Sequence, residues 1–320
     1  IELYLRPRLG RVKLDKIGPD QVKALHHHML TELGLSTTTV RGTHFTLSAL
    51  LRDAVIAGHT NRNPCTIVNA PGRAVYKVKH LSSAQGRDLL ASLDPGDGTV
   101  PEMLVIASVA LLAGARPEEI LGITRDNIDL DKGTITFAWQ IKRIAFEHGC
   151  GKKDPSGVWP CGRKLGGYCT KRFLDIPGDQ EVHQLDGGLY LTRPKSRAGF
   201  RVVPMVGPLQ WVMEKYLETC TPDPKHGLIF TRDNGLPQEP TRIRARWRAA
   251  LAAADLPPVN RHSARHTCNT ILAELHVPVE VRQKILGHAS RAVNEEDYTH
   301  TSDQRVREAM TAIGGELDWR

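Results

Sequence analysis

Apolar positions recur at helical spacing over most of this chain. In IGPDQVKALHHHMLTEL, Val22, Leu25, Met29 and Leu33 fall three or four apart, behind the helix opener Pro19-Asp20 and ahead of the stop at Gly34. Ser36 then predicts the cap of a second helix, TTTVRGTHFTLSALLRDAVIAG, whose stripe is Val40, Leu47, Leu51 and Val55. Gly58 and Asn63-Pro64 close this stretch, so residues 1–70 read as a small helical domain. The periodicity then lapses. Residues 71–80 hold Pro71, Gly72, Arg73, Lys77, Lys79 and His80 with little apolar content, the pattern of a basic linker that can track phosphates.

A second domain, residues 81–320, begins with Ser82 or Ser83 capping a helix that runs to about Leu93. The uniformly apolar VPEMLVIASVALLAGA follows, too short to span a membrane and suited to a core. Alternation replaces helical spacing in Ile128–Ile141, where Asp131-Lys132-Gly133 predicts a hairpin turn. A second β region covers GLYLTRPKSRAGFRVVPM, with Arg197-Ala198-Gly199 near its turn. Beyond Pro208 the pattern is helical, over Trp211–Thr219, Thr241–Ala254, Ser263–Leu275, Val279–Leu286 and Gln304–Ile313. The fold class expected is mainly α with a small antiparallel sheet (α+β).

Charge narrows the partner. The formal net charge is +8, which favours a polyanion, and no apolar run approaches the roughly 18 residues of a membrane helix. No signal peptide opens the chain, and Ile1 in place of Met implies a natural N-terminus further upstream. Cys65, Cys220 and Cys268 stand apart and read as reduced, intracellular thiols.

Residues 143–186 form an insertion carrying His148, Cys150, Cys161 and Cys169 among glycines and lysines. Three cysteines and a histidine are a closed tetrahedral zinc set, and a long polar loop gains order from such a cross-link. His183 is the alternative fourth ligand, and a basic loop with free thiols is the alternative reading of the whole segment.

The candidate chemistry lies in five phrases: LLAGARPEEIL, RPKSRAGFRVVP, HSARHT, ILGH and DYTH. Arg116 precedes Pro117, so it stands at a helix start, with Glu119 one turn on to steady its guanidinium. His262 and Arg265 are three apart at another helix start and face one point. Two guanidiniums with His262 and His288 suit a phosphate that gains charge in its transition state, and Lys195 suits a proton donor to a departing oxygen. Tyr298 follows as an oxygen nucleophile, better placed than Tyr168 or Tyr216. Arg242, Arg244, Arg246 and Arg248 give one helix a basic surface, of which Arg244 and Arg248 share a face.

In order and wording these phrases resemble the tyrosine recombinase family, the phage-integrase type of site-specific DNA recombinase, over about residues 1–310. Ile123, Ala264, Ser196 and Gly199 depart from the family's usual residues at packing or hairpin positions. The resemblance implies a helical core-binding domain and a catalytic domain that clamp double-stranded DNA at attachment-type sites. It further implies cleavage and rejoining through a 3′-phosphotyrosine for DNA integration and excision. The catalytic set would be Arg116, Lys195, His262, Arg265, His288 and Tyr298, supported by Glu119, with no cofactor for catalysis and a structural zinc ion only in the insertion. Expected DNA contacts are Thr38, Arg41, His44, Lys77, Lys79, Arg201, Arg242, Arg244 and Arg248. The resemblance also implies a homotetramer on two DNA sites, whose helix Gln304–Ile313 docks on a neighbour, with accessory DNA-bending proteins. The setting would be the cytoplasm of a bacterial host, at the nucleoid. The rival readings are relaxation of the type IB topoisomerase kind and a non-catalytic DNA-binding relative.

Overall fold

The computed structural model describes residues 1–73, 79–154, 156–178, 180–194, 199–287 and 301–320, without the side chains of Thr301 and Ser302. The chain divides into two compact units, Ile1–Lys77 and Val78–Arg320.

The first unit is helical. It comprises α1 (Leu5–Leu9), α2 (Pro19–His27), which continues as a wider π turn over His28–Glu32, and α3 (Thr37–Ile56). Ser36 caps α3, its Oγ accepting the Thr39 N–H at 3.3 Å. Leu9, Val22, Leu25, Met29, Val40, Leu47 and Leu51 make the core. The stripe of α3 ends a turn earlier than its sequence predicts. Val55 is 36% and Ile56 79% exposed, because α3 runs past the small core it covers. His44 falls between Val40 and Leu47 on that stripe and is 3% exposed. Its Nδ1 lies 3.2 Å from Nε2 of the buried His26. The expected DNA contact by His44 is therefore corrected: its ring belongs to the interior of this unit. Thr38 is exposed, whereas Arg41 is half-buried, donating to the Pro71 carbonyl at 3.0 Å with its guanidinium over the Phe45 ring.

The second unit opens with α4 (Ser83–Leu93), closed at its start by a capping box between Ser82 and Gln85. The next helix, α5 (Glu102–Leu112), is buried at every residue from Met103 to Leu112, as its uninterrupted apolar sequence requires. The short α6 (Pro117–Leu121) follows. The strands are β1 (Ile128–Asp129), β2 (Thr134–Phe137), β3 (Gln140–Arg143), β4 (Val182–Asp186), β5 (Leu189–Thr192) and β6 (Arg201–Pro204). They form two antiparallel sheets, ordered β1-β2-β6 and β3-β5-β4. The turn at Asp131-Lys132-Gly133 joins β1 to β2 as expected, with Gly133 at φ 59°. The second β region does not fold back on itself as expected. Instead β5 pairs with β3 and β4, and β6 crosses to pair with β2.

The remaining helices are α7 (Pro208–Thr219), α8 (Pro240–Ala253), α9 (Arg261–Glu274), α10 (Val279–Leu286) and α11 (Thr301–Glu316). Helix α5 packs on α7 and α9, so the most apolar segment of the chain becomes the axis of the larger core. Helix α11 buries Val306, Ala309, Met310, Ile313 and nearby Leu317 in the core of its own chain. The helix expected to dock on a neighbour thus lays its apolar stripe on the core of its own chain in this single-chain structure. Among the described residues, no helix is long and apolar enough to cross a membrane.

Candidate active site

Arg116 is the residue before α6, in extended conformation, and Pro117 starts the helix. Glu119 reaches back and accepts from both the Arg116 backbone N–H, at 2.9 Å, and its Nη1, at 2.5 Å. The other guanidinium nitrogen, Nη2, donates to the Gly287 carbonyl at 3.2 Å. Gly287 ends α10 in the left-handed conformation, and His288 is the next residue in the chain. One third of the Arg116 side chain stays exposed, whereas Glu119 is 2% exposed.

Arg265 enters from α9. Its Nη1 donates to the Gly114 carbonyl at 2.8 Å, two residues before Arg116. Gly114 has φ 57°, and a β-carbon there would sit 2.3 Å from Leu286 Cδ2 and 3.0 Å from Cys268 Sγ. Only glycine lets this turn pass between α9 and α10. The second terminal nitrogen of Arg265, Nη2, is buried and has no hydrogen-bond partner among the described residues. Burial, and then the neighbouring charges of Arg116 and Arg201, push the Arg265 pKa down to about 10 against the opposing pull of Glu119.

The third guanidinium is Arg201. It was expected to contact DNA, and the structure corrects this. Strand β6 alternates, so Arg201 and Val203 face inward while Val202 is exposed. Its Nη2 pairs with Glu119 Oε2 at 2.9 Å, its Nε donates to the Ile285 carbonyl at 2.7 Å, and its guanidinium lies over the Phe137 ring. Arg201 thus ties β6, α6 and the end of α10 together from inside. Burial raises the Glu119 carboxyl, but the charge of Arg201 and the hydrogen bonds from Arg201 and Arg116 outweigh it and hold the pKa below the usual range. Two guanidiniums therefore share one carboxylate with a third close by, a pocket with surplus positive charge and, among the described residues, a buried donor without a partner.

His262 lies one turn before Arg265 on α9, exposed, with its ring edge-on to His266 at 5.3 Å. Asn260 caps this helix, its Oδ1 accepting the Ser263 N–H at 2.9 Å. Two residues here escaped the sequence reading. Thr267 is buried and its hydroxyl accepts the Leu81 N–H at 3.0 Å, which anchors the start of the unit on α9. Arg261 is 8% exposed, with a buried Nη1 that has no partner among the described residues. The basic, histidine-rich HSARHT phrase flagged the segment, but only packing separates its inward from its outward residues.

Lys195, His288, Tyr298 and Lys77 lie outside the described residues. Of the two competing tyrosines, one is engaged in the core and the other is exposed in the insertion. Tyr216 is buried and donates to the Ile229 carbonyl at 3.0 Å, burial raising its pKa, and Tyr168 is in the insertion. Arg242, Arg244 and Arg248 are exposed on α8, Arg246 is paired with Glu102, and Lys79 is exposed.

The insertion between β3 and β4 brings His148, Cys150, Cys161 and Cys169 together, with all ligand atoms within 4.8 Å of one another. His183 lies elsewhere, 3.2 Å from Glu181 and beside His226, so it is not the fourth member.

A profile of the phage integrase family matches residues 176–305. An integrase of Saccharopolyspora erythraea is 27% identical over 94% of this chain and 72% of its own length. A XerC-like tyrosine recombinase of Caldanaerobacter subterraneus is 20% identical over 90% of this chain and 68% of its own. Among solved structures, the Tn1549 transposon integrase in complex with transposon right end DNA superimposes with a TM-score of 0.63. That match is 19% identical and covers 97% of this chain and 89% of that one. Residues 176–305 therefore carry a phage integrase domain, and over nearly its whole length the chain that holds the arginine pocket is similar to integrases and tyrosine recombinases.

Proposed function

We propose that the pocket formed by Arg116, Arg265 and their braces Glu119 and Arg201 binds the phosphodiester that Tyr298 attacks. The observation that carries this reading is the buried Nη2 of Arg265, without a partner among the described residues, where these place three guanidiniums beside one carboxylate. A guanidinium nitrogen kept from water without an acceptor is destabilising unless an anion completes it. A scissile phosphate supplies that acceptor, and its bond to Arg265 strengthens as charge develops on the non-bridging oxygens.

In this reading the Tyr298 oxygen displaces the DNA 5′-oxygen at phosphorus, forming the 3′-phosphotyrosyl ester as the P–O5′ bond breaks. Lys195 protonates the leaving 5′-oxygen, and His262 accepts the phenol proton or joins His288 in donating to the phosphate. A 5′-hydroxyl from a partner strand then reverses the step, so the ester conserves the bond energy and no nucleotide cofactor is needed. Double-stranded DNA at attachment-type sites is the substrate, followed through the exposed Arg242, Arg244 and Arg248 of α8, with Thr38, Arg41, Lys77 and Lys79 as further contacts. Four copies on two sites would complete strand exchange, with DNA-bending proteins as accessories, at the nucleoid in the cytoplasm of a bacterial host.

A nicked suicide substrate tests this, because loss of the short 5′-hydroxyl fragment traps the covalent complex. The expected result is an adduct on Tyr298 and exchange of strands between two duplexes. No adduct would reduce the chain to a DNA binder, and an adduct with relaxation but no exchange would make it a topoisomerase.

A further inference from the structure

The insertion between Arg143 and Val182 has almost no core of its own. Val158, Leu165, Tyr168 and Phe173 are all at least 49% exposed, so apolar burial supplies little of its order. Two backbone links join its arms: Glu147 N–H to the Phe173 carbonyl at 2.8 Å, and Phe173 N–H to the Glu147 carbonyl at 3.1 Å. Next to this bridge, a β-carbon on Gly149 would meet the Lys171 carbonyl oxygen at 2.1 Å, so the two arms are pressed together where only glycine fits.

At that closure the four side chains converge. Cys161 Sγ is 3.4 Å and Cys150 Sγ 3.8 Å from the same nitrogen, His148 Nδ1. The four ligand atoms all lie within 4.8 Å, and Cys169 is 1% exposed. A zinc tetrahedron with Zn–S of about 2.3 Å and Zn–N of about 2.0 Å has edges of about 3.5–3.8 Å. The two sulfur–nitrogen separations lie close to those edges, and the whole set, within 4.8 Å, is somewhat wider than the closed polyhedron. All three cysteines are free thiols. The His148 ring is stacked on Trp159 at 4.2 Å and 11°, which fixes the plane of its Nδ1.

We propose that His148 through Nδ1, with Cys150, Cys161 and Cys169 through sulfur, binds one zinc ion as a closed structural site that holds the insertion as a basic lobe. Four protein ligands leave no position for water, so the ion takes no part in strand cleavage. What it would organise is charge. Between His148 and Arg172 the chain carries Lys152, Lys153, Arg163, Lys164, Lys171 and Arg172 against the single acid Asp154. Without the cross-link those cations would sit on a segment with too little apolar surface to order itself.

The test is metal analysis of the whole chain, purified without chelator and dialysed against zinc. About one zinc per chain is expected, with near none in Cys161→Ser and in His148→Ala. Metal below about a tenth of an equivalent in the parent, or unchanged metal in both variants, would overturn the assignment. Cobalt(II) gives a second reading on the unaltered chain. Exchange for zinc should produce sulfur-to-cobalt charge-transfer absorption and intense tetrahedral bands, and weak octahedral bands alone would also overturn it. Chelation should open the lobe to trypsin at its lysines and arginines while the rest of the unit resists. An unchanged digestion pattern would remove the bracing role.

Discussion

The arginine pocket and the Cys/His lobe both gather like-natured groups at one point, but they hold them by opposite means. In the pocket, Arg116, Arg201 and Arg265 are fixed by backbone carbonyls of Gly287, Ile285 and Gly114 and by one carboxylate, all set in the large core around α5. In the lobe, His148, Cys150, Cys161 and Cys169 are fixed mainly by two bridge hydrogen bonds, one stacked ring and one another. A large core can hold charges that repel, because many buried contacts outweigh the electrostatic penalty. A loop without a core needs ligands that attract a common ion. It follows that damage to the pocket should fall on chemistry, and damage to the lobe on metal and local order.

The sharpest separation should come from Tyr298→Phe. Covalent adduct on a nicked substrate should vanish, with DNA affinity nearly unchanged because phosphate contacts dominate it. Persistent adduct would show that another group is the nucleophile.

Glu119→Gln removes the one carboxylate that pairs with the buried Arg201 among the described residues. Unfolding free energy in urea should fall by about 3 kcal/mol, the usual result of breaking a buried pair from one side. A stability within about 0.5 kcal/mol of the parent would mean that Arg201 is compensated elsewhere.

Arg265→Lys keeps a cation but loses the fork that donates to Gly114 and, in the proposed function, to the phosphate. Single-turnover cleavage should drop by roughly 10²-fold or more, as for loss of one transition-state donor. A loss of only a few-fold would remove the phosphate-clamp role from Arg265.

On the lobe side, Cys161→Ser should change cleavage on short duplexes by no more than a few-fold. A collapse of the cleavage step comparable with Arg265→Lys would break the division between the two regions.

The smallest effect concerns the first unit. Burial, and then their charged neighbours His44 and Arg41 respectively, lower the pKa values of His26 and His44 below that of free imidazole. The unfolded chain therefore binds more protons just below pH about 6.5. Stability from keeping this pair neutral is present above that pH and is lost as the pH falls through the folded-state values. Thermal melts between pH 7 and pH 5 should show this acid sensitivity, and His44→Gln should make it shallower. Equal slopes for parent and variant would remove the pair from the account.

Much of this was legible in the chain. The helix starts at Ser36, Ser82 and Pro117 and the turn at Gly133 are local, since caps and turns depend on a few neighbouring residues. The fold class and the Arg116–Glu119 pair, three residues apart, followed from the same short-range logic. The Cys/His set was legible as composition, with the choice between His148 and His183 open.

What the sequence could not decide was partnership at a distance. Both β5 and β6 have clear strand patterns, yet each pairs with a strand more than 40 positions away, and alternation carries no label for its partner. Arg201 reads as one more cation near a DNA-binding phrase until β2 and α10 close over it and Glu119 arrives from α6. His44 and the stripe of α11 turned inward for the same reason, because burial depends on what covers a face as well as on the face itself. The chain's local order determined which residues could do phosphate chemistry and which could bind a metal. Only the tertiary structure decided that Arg201 is a brace, that His148 rather than His183 stands with the three cysteines, and that the Arg265 guanidinium keeps a buried nitrogen without a partner among the described residues.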